Sequence, residues 1–209
     1  MNGTLVKNEL ILEFASGKLN ASKSVFAATY LFLNSKAANI SSAFENLHGD
    51  SLLGNKDTPT SNLKFSDCLS SKVLSRKIDK SQFGPLSKVV GSLDNIEWKQ
   101  IFKGFKEFST KIDDRDELKL IKMDPGTSVP LHSHGGKEYI LVLDGSFCDE
   151  HGKYTKGDIQ INDQKIKHTP IASEKHGCIC LTITEKDVIF FGSFGSFLNL
   201  FTFIRSFFK

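Results

Sequence analysis

Residues 126–145 read GTSVPLHSHGGKEYILVLDG, and the spacing of their polar residues decides the fold. Gly126 is followed after five residues by His132, Ser133 and His134, after three more by Glu138, and after six more by Gly145. His168 comes thirty residues beyond Glu138 and eleven beyond Gly157 of the Gly157-Asp158 turn. Alternate residues on a strand share a face, so His132 and His134 can grip one ion. Glu138 has the same parity, and the intervening Gly135-Gly136 can bend the backbone and return the carboxylate to that ion from the next strand segment. His168 must then arrive from a different strand. Three imidazoles and one carboxylate suit a borderline divalent ion: Zn²⁺ first, with Fe²⁺, Mn²⁺ and Ni²⁺ as alternatives, leaving room for water or a ligand.

The surrounding pattern reads as strands and turns from Trp98 onward. Leu118 and Leu120 alternate with charged residues, Pro125-Gly126 makes a turn, and Tyr139–Leu143 is an apolar run ending at an Asp144-Gly145 turn. Gly177–Thr184 is a further strand. Cys178 and Cys180 share its face and read as small apolar fillers rather than a redox or thiolate site. His151 and His176 stand beside glycines in loops and read as solvated. Residues 188–209 are rich in Phe but interrupted by Gly192, Ser193, Gly195, Ser196 and Asn199. Such a stretch is a poor membrane span, and packing against the β half or at a dimer contact is the expectation.

The first half is helical. Residues 7–17 read as a helix stopped by Gly17. A second helix is expected from Ser22, as its cap, to about Leu47, with Phe26, Tyr30, Leu33, Ala37, Ile40, Phe44 and Leu47 forming a narrow stripe for an internal helix–helix contact. Residues 49–62 read as a loop, 63–74 as a third helix, and 75–83 as a linker. Pro85 opens a short helix through Leu93. Helices followed by strands predict two domains.

With 27 basic and 24 acidic side chains the net charge is +3, and the basic residues are scattered singly. This excludes nucleic acid as the main partner. The four cysteines, Cys68, Cys148, Cys178 and Cys180, form no CxxC pair and no secreted disulfide framework. The first residues lack a charged segment followed by an apolar run, so a reduced, cytoplasmic protein is expected. No Ser-His-Asp order, phosphate loop or nucleotide fingerprint occurs.

Gly126, His132, His134, Glu138 and Gly145 resemble the first cupin motif in full. Gly157, Asp158 and His168 resemble the second, which departs at Asp163, Lys165 and Ala172, where Pro, Gly and Asn are usual. The resemblance implies a small antiparallel β-barrel with an ion inside its mouth. Over most of its length the chain resembles the ChrR-type cupin anti-sigma factors, through residues 10–19, the Pro85–Trp98 region, the stretch from Glu138 to Phe147, His168-Thr-Pro170 and Cys178-Ile-Cys180. That resemblance implies an α+β chain with an N-terminal helical anti-sigma-like domain at 1–80, a linker with a short helix at 81–97, and a C-terminal cupin β-barrel at 98–209. The helical domain would sequester an extracytoplasmic-function sigma factor. The cupin domain, with one divalent metal on His132, His134, Glu138 and His168, would sense stress or a ligand. A homodimer through the cupin domain is a second association to test. Members of the family usually carry zinc in the helical domain, but the corresponding positions here are Leu5, Tyr30, Asn34 and Ala37, so no N-terminal zinc is expected. The rival readings are a cupin dioxygenase or isomerase, for which no second catalytic group is evident, and a small-molecule-binding cupin.

Overall fold

The computed structural model describes residues 2–52, 83–113 and 116–192. Three helices open the chain: α1 (Asn2–Ala15), α2 (Ala21–Leu33) and α3 (Ser35–Leu52). α1 begins earlier than its apolar spacing suggests and ends before Gly17, whose φ of 67° is the left-handed conformation expected of a stop.

The expected single helix from Ser22 to Leu47 is two. Asn20, not Ser22, caps α2, its side chain accepting from the Lys23 amide at 2.9 Å. Ser22 serves the sheet instead: its hydroxyl donates to the Asp116 carbonyl at 2.9 Å and its amide to the Asp113 carboxylate at 3.1 Å. The break falls at Asn34, in extended conformation (φ −125°, ψ 98°). Its Oδ1 accepts from the Ala37 amide at 3.1 Å, and its Nδ2 donates to the Gly157 carbonyl at 3.3 Å. A short amide side chain that satisfies backbone groups locally competes with helix continuation, and apolar periodicity cannot register that competition. The stripe is split accordingly. Phe26, Tyr30 and Ala37 are buried, while Ile40 is 38% exposed. α1, α2 and α3 pack against one another, and α1 and α2 also rest on the sheet.

From Phe83 the described residues form a 3-10 turn (Gly84–Leu86) and α4 (Ser87–Val90), close to the predicted Pro85 helix but ended by Gly91 at φ 74°. A second 3-10 turn (Leu93–Asn95) leads into the strands. The expected loop at 49–62 is helical as far as Leu52. Its remainder, the helix expected over 63–74 and the linker before Phe83 lie outside the described residues.

The strands are β1 (Lys99–Phe102), β2 (Phe105–Lys111), β3 (Glu117–Met123), β4 (His132–His134), β5 (Glu138–Asp149), β6 (Gly152–Thr155), β7 (Ile159–Asn162), β8 (Ile171–Ala172), β9 (Cys178–Thr184) and β10 (Val188–Phe190). One antiparallel sheet runs β1-β2-β3-β9-β5-β6, with β7 and β8 also paired to β5, and β10 pairs with β4 separately. This is an antiparallel architecture of cupin-like kind. Strand pairing among the described residues does not close it into a ring.

The apolar run Tyr139–Leu143 is continuous because both faces of β5 are covered. Tyr139, Leu141 and Leu143 belong to one core with Phe26, Leu118, Leu120, Leu181 and Ile183. Ile140 and Val142 belong to the other, with Phe105, Met123, Cys178 and Cys180. Strand parity therefore places Glu138 on the face of Ile140, away from the helices.

Asp144-Gly145 does not end the strand. β5 continues to Asp149 through a bulge between Val142 and Asp144, with Gly145 at φ 69°. A bulge uses the same turn-forming residues as a hairpin, which is why the two look alike in sequence. A Cβ at Gly145 would run into the Gly177 carbonyl, whereas one at Gly17 meets nothing within 4 Å. Gly145→Ala should lower unfolding free energy by roughly 3 kcal/mol, against about 1 kcal/mol for Gly17→Ala. Denaturant titration of the two variants measures the gap, and equal losses would contradict the close approach.

Candidate metal centre

His132 and His134 project from β4, Glu138 opens β5, and His168 lies between β7 and β8. Reciprocal backbone hydrogen bonds join His132 to His168, amide to carbonyl, at 3.1 and 3.0 Å. The sequence-expected quartet thus converges: one ligand atom from each residue lies within 4.8 Å of the others. Burial is nearly complete, from 1% exposed for His168 to 6% for Glu138, so bulk water does not satisfy these groups.

Outer partners fix which atoms face inward. The Nδ1 of His132 lies 2.8 Å from the Pro130 carbonyl, an acceptor only, so that nitrogen carries the proton and Nε2 offers its lone pair. His168 Nδ1 donates to Asp149 Oδ2 at 3.0 Å, which turns Nε2 toward the cluster. Asn162 Nδ2 donates to Glu138 Oε2 at 3.0 Å, and Asn162 sits directly opposite Glu138 in the β5–β7 register. Gln160 Nε2 donates to Asp149 at 2.7 Å, fixing the carboxylate that fixes the histidine.

The inner nitrogens are a different matter. His134 Nε2 and His168 Nε2 stand 3.1 and 3.4 Å from Glu138 Oε2. Both nitrogens are buried without a hydrogen-bond partner, as is His134 Nδ1. Buried polar atoms are normally paired. Convergent unpaired imidazole nitrogens beside a carboxylate oxygen are a donor set that fits a divalent cation, and the four residues could hold one.

The electrostatics agree with crowding around one point. Burial pushes Glu138 upward, but the adjacent His134 and His168 rings outweigh it and hold the carboxyl well below the usual range. Burial and the neighbouring His168 press His132 down to about 4. His168 is also disfavoured by burial, yet the Asp149 and Glu138 carboxylates carry it up to about 9. His132 and His168 thus differ widely because His168 touches two carboxylates.

The second-motif departures are absorbed locally. Asp163 replaces the usual turn residue by accepting from the Lys165 amide at 2.8 Å, an Asx-type turn. Ala172 is buried on β8. Sequence reading missed Asp149, Asn162 and Gln160. The signal for Asn162 is a strand register, and for Asp149 a bulge, neither of which composition reveals.

Cys178 and Cys180 are buried with their Sγ atoms 3.3 Å apart. The hydrogen bond between them and burial push the Cys180 thiol well up, as suits a core filler. Cys148 is exposed. His151 is exposed, its Nε2 3.2 Å from the Lys167 carbonyl, and His176 is exposed too. Of the Phe-rich segment, Val188–Phe190 pairs with the His132–His134 strand, and the Phe190 ring lies 5.6 Å from that of His132. Its residues from 193 onward lie outside the described residues. Among the described residues no helix is long and apolar enough to cross a membrane.

The ChrR Cupin-like domain family matches residues 86–186, a span holding all four clustered residues. The anti-sigma-E factor ChrR of Cereibacter sphaeroides is 28% identical over 193 residues, 88% of this chain and 91% of the relative. In three dimensions the chain matches the crystal structure of Rhodobacter sphaeroides SigE in complex with the anti-sigma ChrR, with a TM-score of 0.70 and 29% identity, covering 85% of this chain and 96% of the matched one. That match spans helices as well as sheet, and over most of its length the chain is similar to the ChrR-type cupin anti-sigma factors.

Proposed function

We propose that this protein is a transcriptional regulator that sequesters an extracytoplasmic-function sigma factor through residues 1–80, followed by a linker at 81–97 and a cupin domain at 98–209. The observation that carries this reading is the overlap, over 85% of the chain, with a protein solved in complex with its sigma factor SigE. A relative matched over 91% of its own length is a regulator, which removes the ground for a dioxygenase or isomerase. The cytoplasm is the compartment this reading requires, since sigma factors act there on RNA polymerase. A closed cupin barrel, with the β4–β10 pair shutting the face that the large sheet leaves open, and a homodimer through that domain belong to the same proposal. Tagged full-length protein should co-purify with a sigma factor from its native cell. Recovery of no sigma factor by the intact chain would overturn the reading.

His132, His134, Glu138 and His168 would hold one divalent metal, with zinc preferred for its tolerance of a three-nitrogen, one-oxygen set. When bound, the ion would neutralise Glu138 and cross-link β4, β5 and the His168 segment. Asp149 would orient His168, Pro130 would orient His132, and Asn162 would restrain the Glu138 carboxylate. Asp149→Asn should lower metal affinity by about 10- to 100-fold in chelator competition while leaving the circular dichroism spectrum unchanged. An unaltered affinity would show that the Asp149 contact is not an orienting one.

No second metal is proposed for the helices. Tyr30 and Ala37 are buried in the apolar core, and both polar ends of the Asn34 side chain are engaged by backbone. Apolar packing takes the place of a metal cross-link there. Metal analysis should give about one tightly bound ion per chain. Two ions, one of them lost on deleting residues 1–80, would overturn this part.

A further inference from the structure

We infer that the cavity beside the clustered histidines binds a small apolar monoanion, an oxygen donor on a compact hydrocarbon body; this rests on the metal reading above. The cavity measures about 180 Å³ and has the four clustered residues in its wall. A water molecule or hydroxide would fill little of that space, and an apolar cavity of about 150 Å³ is known to stay dry and admit benzene. The rest of the wall is overwhelmingly apolar, formed by residues such as Phe102, Ile121, Met123, Phe147 and Phe190. A body of one ring or about six carbons is the right size.

Two observations define the polar end. The first is charge. A divalent ion on three neutral imidazoles and one Glu138 carboxylate leaves one positive charge. The other ionic pair on the wall, Lys119 with Glu107 at 3.8 Å, adds none. In a largely apolar wall that single charge meets no further counter-ion, so a monoanion is favoured over a neutral molecule or an amine. The second is Thr182. It lines the cavity, is 2% exposed, and its hydroxyl has no protein partner. The β5–β9 register pairs Thr182 with Ile140 and Thr184 with Glu138, so Thr182 sits one same-face position from the Glu138 pair. A buried hydroxyl in that place is the donor for the anion's second oxygen. A carboxylate supplies both oxygens in one group.

The test uses the full chain reconstituted with Co²⁺, whose visible absorption reports its coordination. Benzoate should perturb the spectrum and bind about tenfold or more tightly than acetate, which lacks the ring, and than benzamide, which lacks the charge. Thr182→Val should weaken benzoate by about three- to tenfold with Co²⁺ affinity unchanged. Ile121→Trp, which fills the cavity, should abolish the response to benzoate while Co²⁺ still binds. Equal affinity for benzoate and acetate, or benzoate binding that ignores both substitutions, would overturn the inference while leaving the metal reading intact. Failure of the chain to take up Co²⁺ at all would remove the metal reading and this inference with it.

Discussion

A carboxylate in a dry interior is the constraint on which the rest of the structure depends. Glu138 is 6% exposed on a strand face otherwise occupied by Ile140 and Val142. An isolated ion in such a place carries a desolvation penalty of several kcal/mol or more, so it must be surrounded by positive or donating groups. Asn162 supplies one hydrogen bond, and His134 and His168 stand beside the carboxylate at 3.1 and 3.4 Å, in a cluster that could hold a cation. Three segments distant in sequence are thereby obliged to meet. The reciprocal His132–His168 backbone pair and the outer contacts to Pro130 and Asp149 are what make that meeting geometrically narrow.

The residues on either side of Glu138 carry the constraint to the helices. The Lys137 amide donates to Glu185 at 3.1 Å, and Glu185 in turn pairs with Lys23 of α2 at 2.7 Å. Tyr139, pointing to the opposite face, meets Phe26 of α2 edge-on at 5.9 Å, and the Lys23 ammonium lies 5.3 Å from its ring. The magnitudes separate the roles. A partly exposed ion pair such as Lys23–Glu185 contributes about 1 kcal/mol or less, whereas the fully buried Phe26 side chain contributes roughly 2–3 kcal/mol. Apolar packing therefore holds α2 on the sheet. The polar contacts at Asn20, Ser22 and Lys23 decide where along the sheet it rests.

The sequence disclosed the parts of this arrangement that have a fixed spacing. A two-residue period put His132 and His134 on one face, and the Gly135-Gly136 bend separated them from Glu138 without separating their directions. The same period explained Leu118 and Leu120, each fully buried. What stayed hidden depends on choices between structures that use identical residues. Asn34 could sit inside a helix or break one, and its bonds to Ala37 and Gly157 decide for the break. Asp144-Gly145 could reverse a strand or bulge it, and the approach of the Gly177 carbonyl decides for the bulge. The outer partners Asp149 and Asn162 become visible only once register is known, because neither has a characteristic spacing from the histidine it supports or the carboxylate it faces.

Those hidden choices bear on how the helices are seated on the sheet. Where Asn34 breaks the helix, its amide reaches the Gly157 carbonyl, and a Cβ on Gly157 would lie 3.2 Å from the Leu33 carbonyl. The C-terminal end of α2 is thus seated on the Gly157-Asp158 turn. That turn immediately precedes β7, the strand from which Asn162 restrains Glu138. The N-terminal end of α2 reaches the same carboxylate's strand through Lys23 and Glu185. One helix consequently bridges two strands that both terminate on a single buried charge. α2 is therefore held at both ends by segments that adjoin the buried carboxylate. With Tyr30 and Ala37 packed in the apolar core, the sheet is the scaffold that sets helix position.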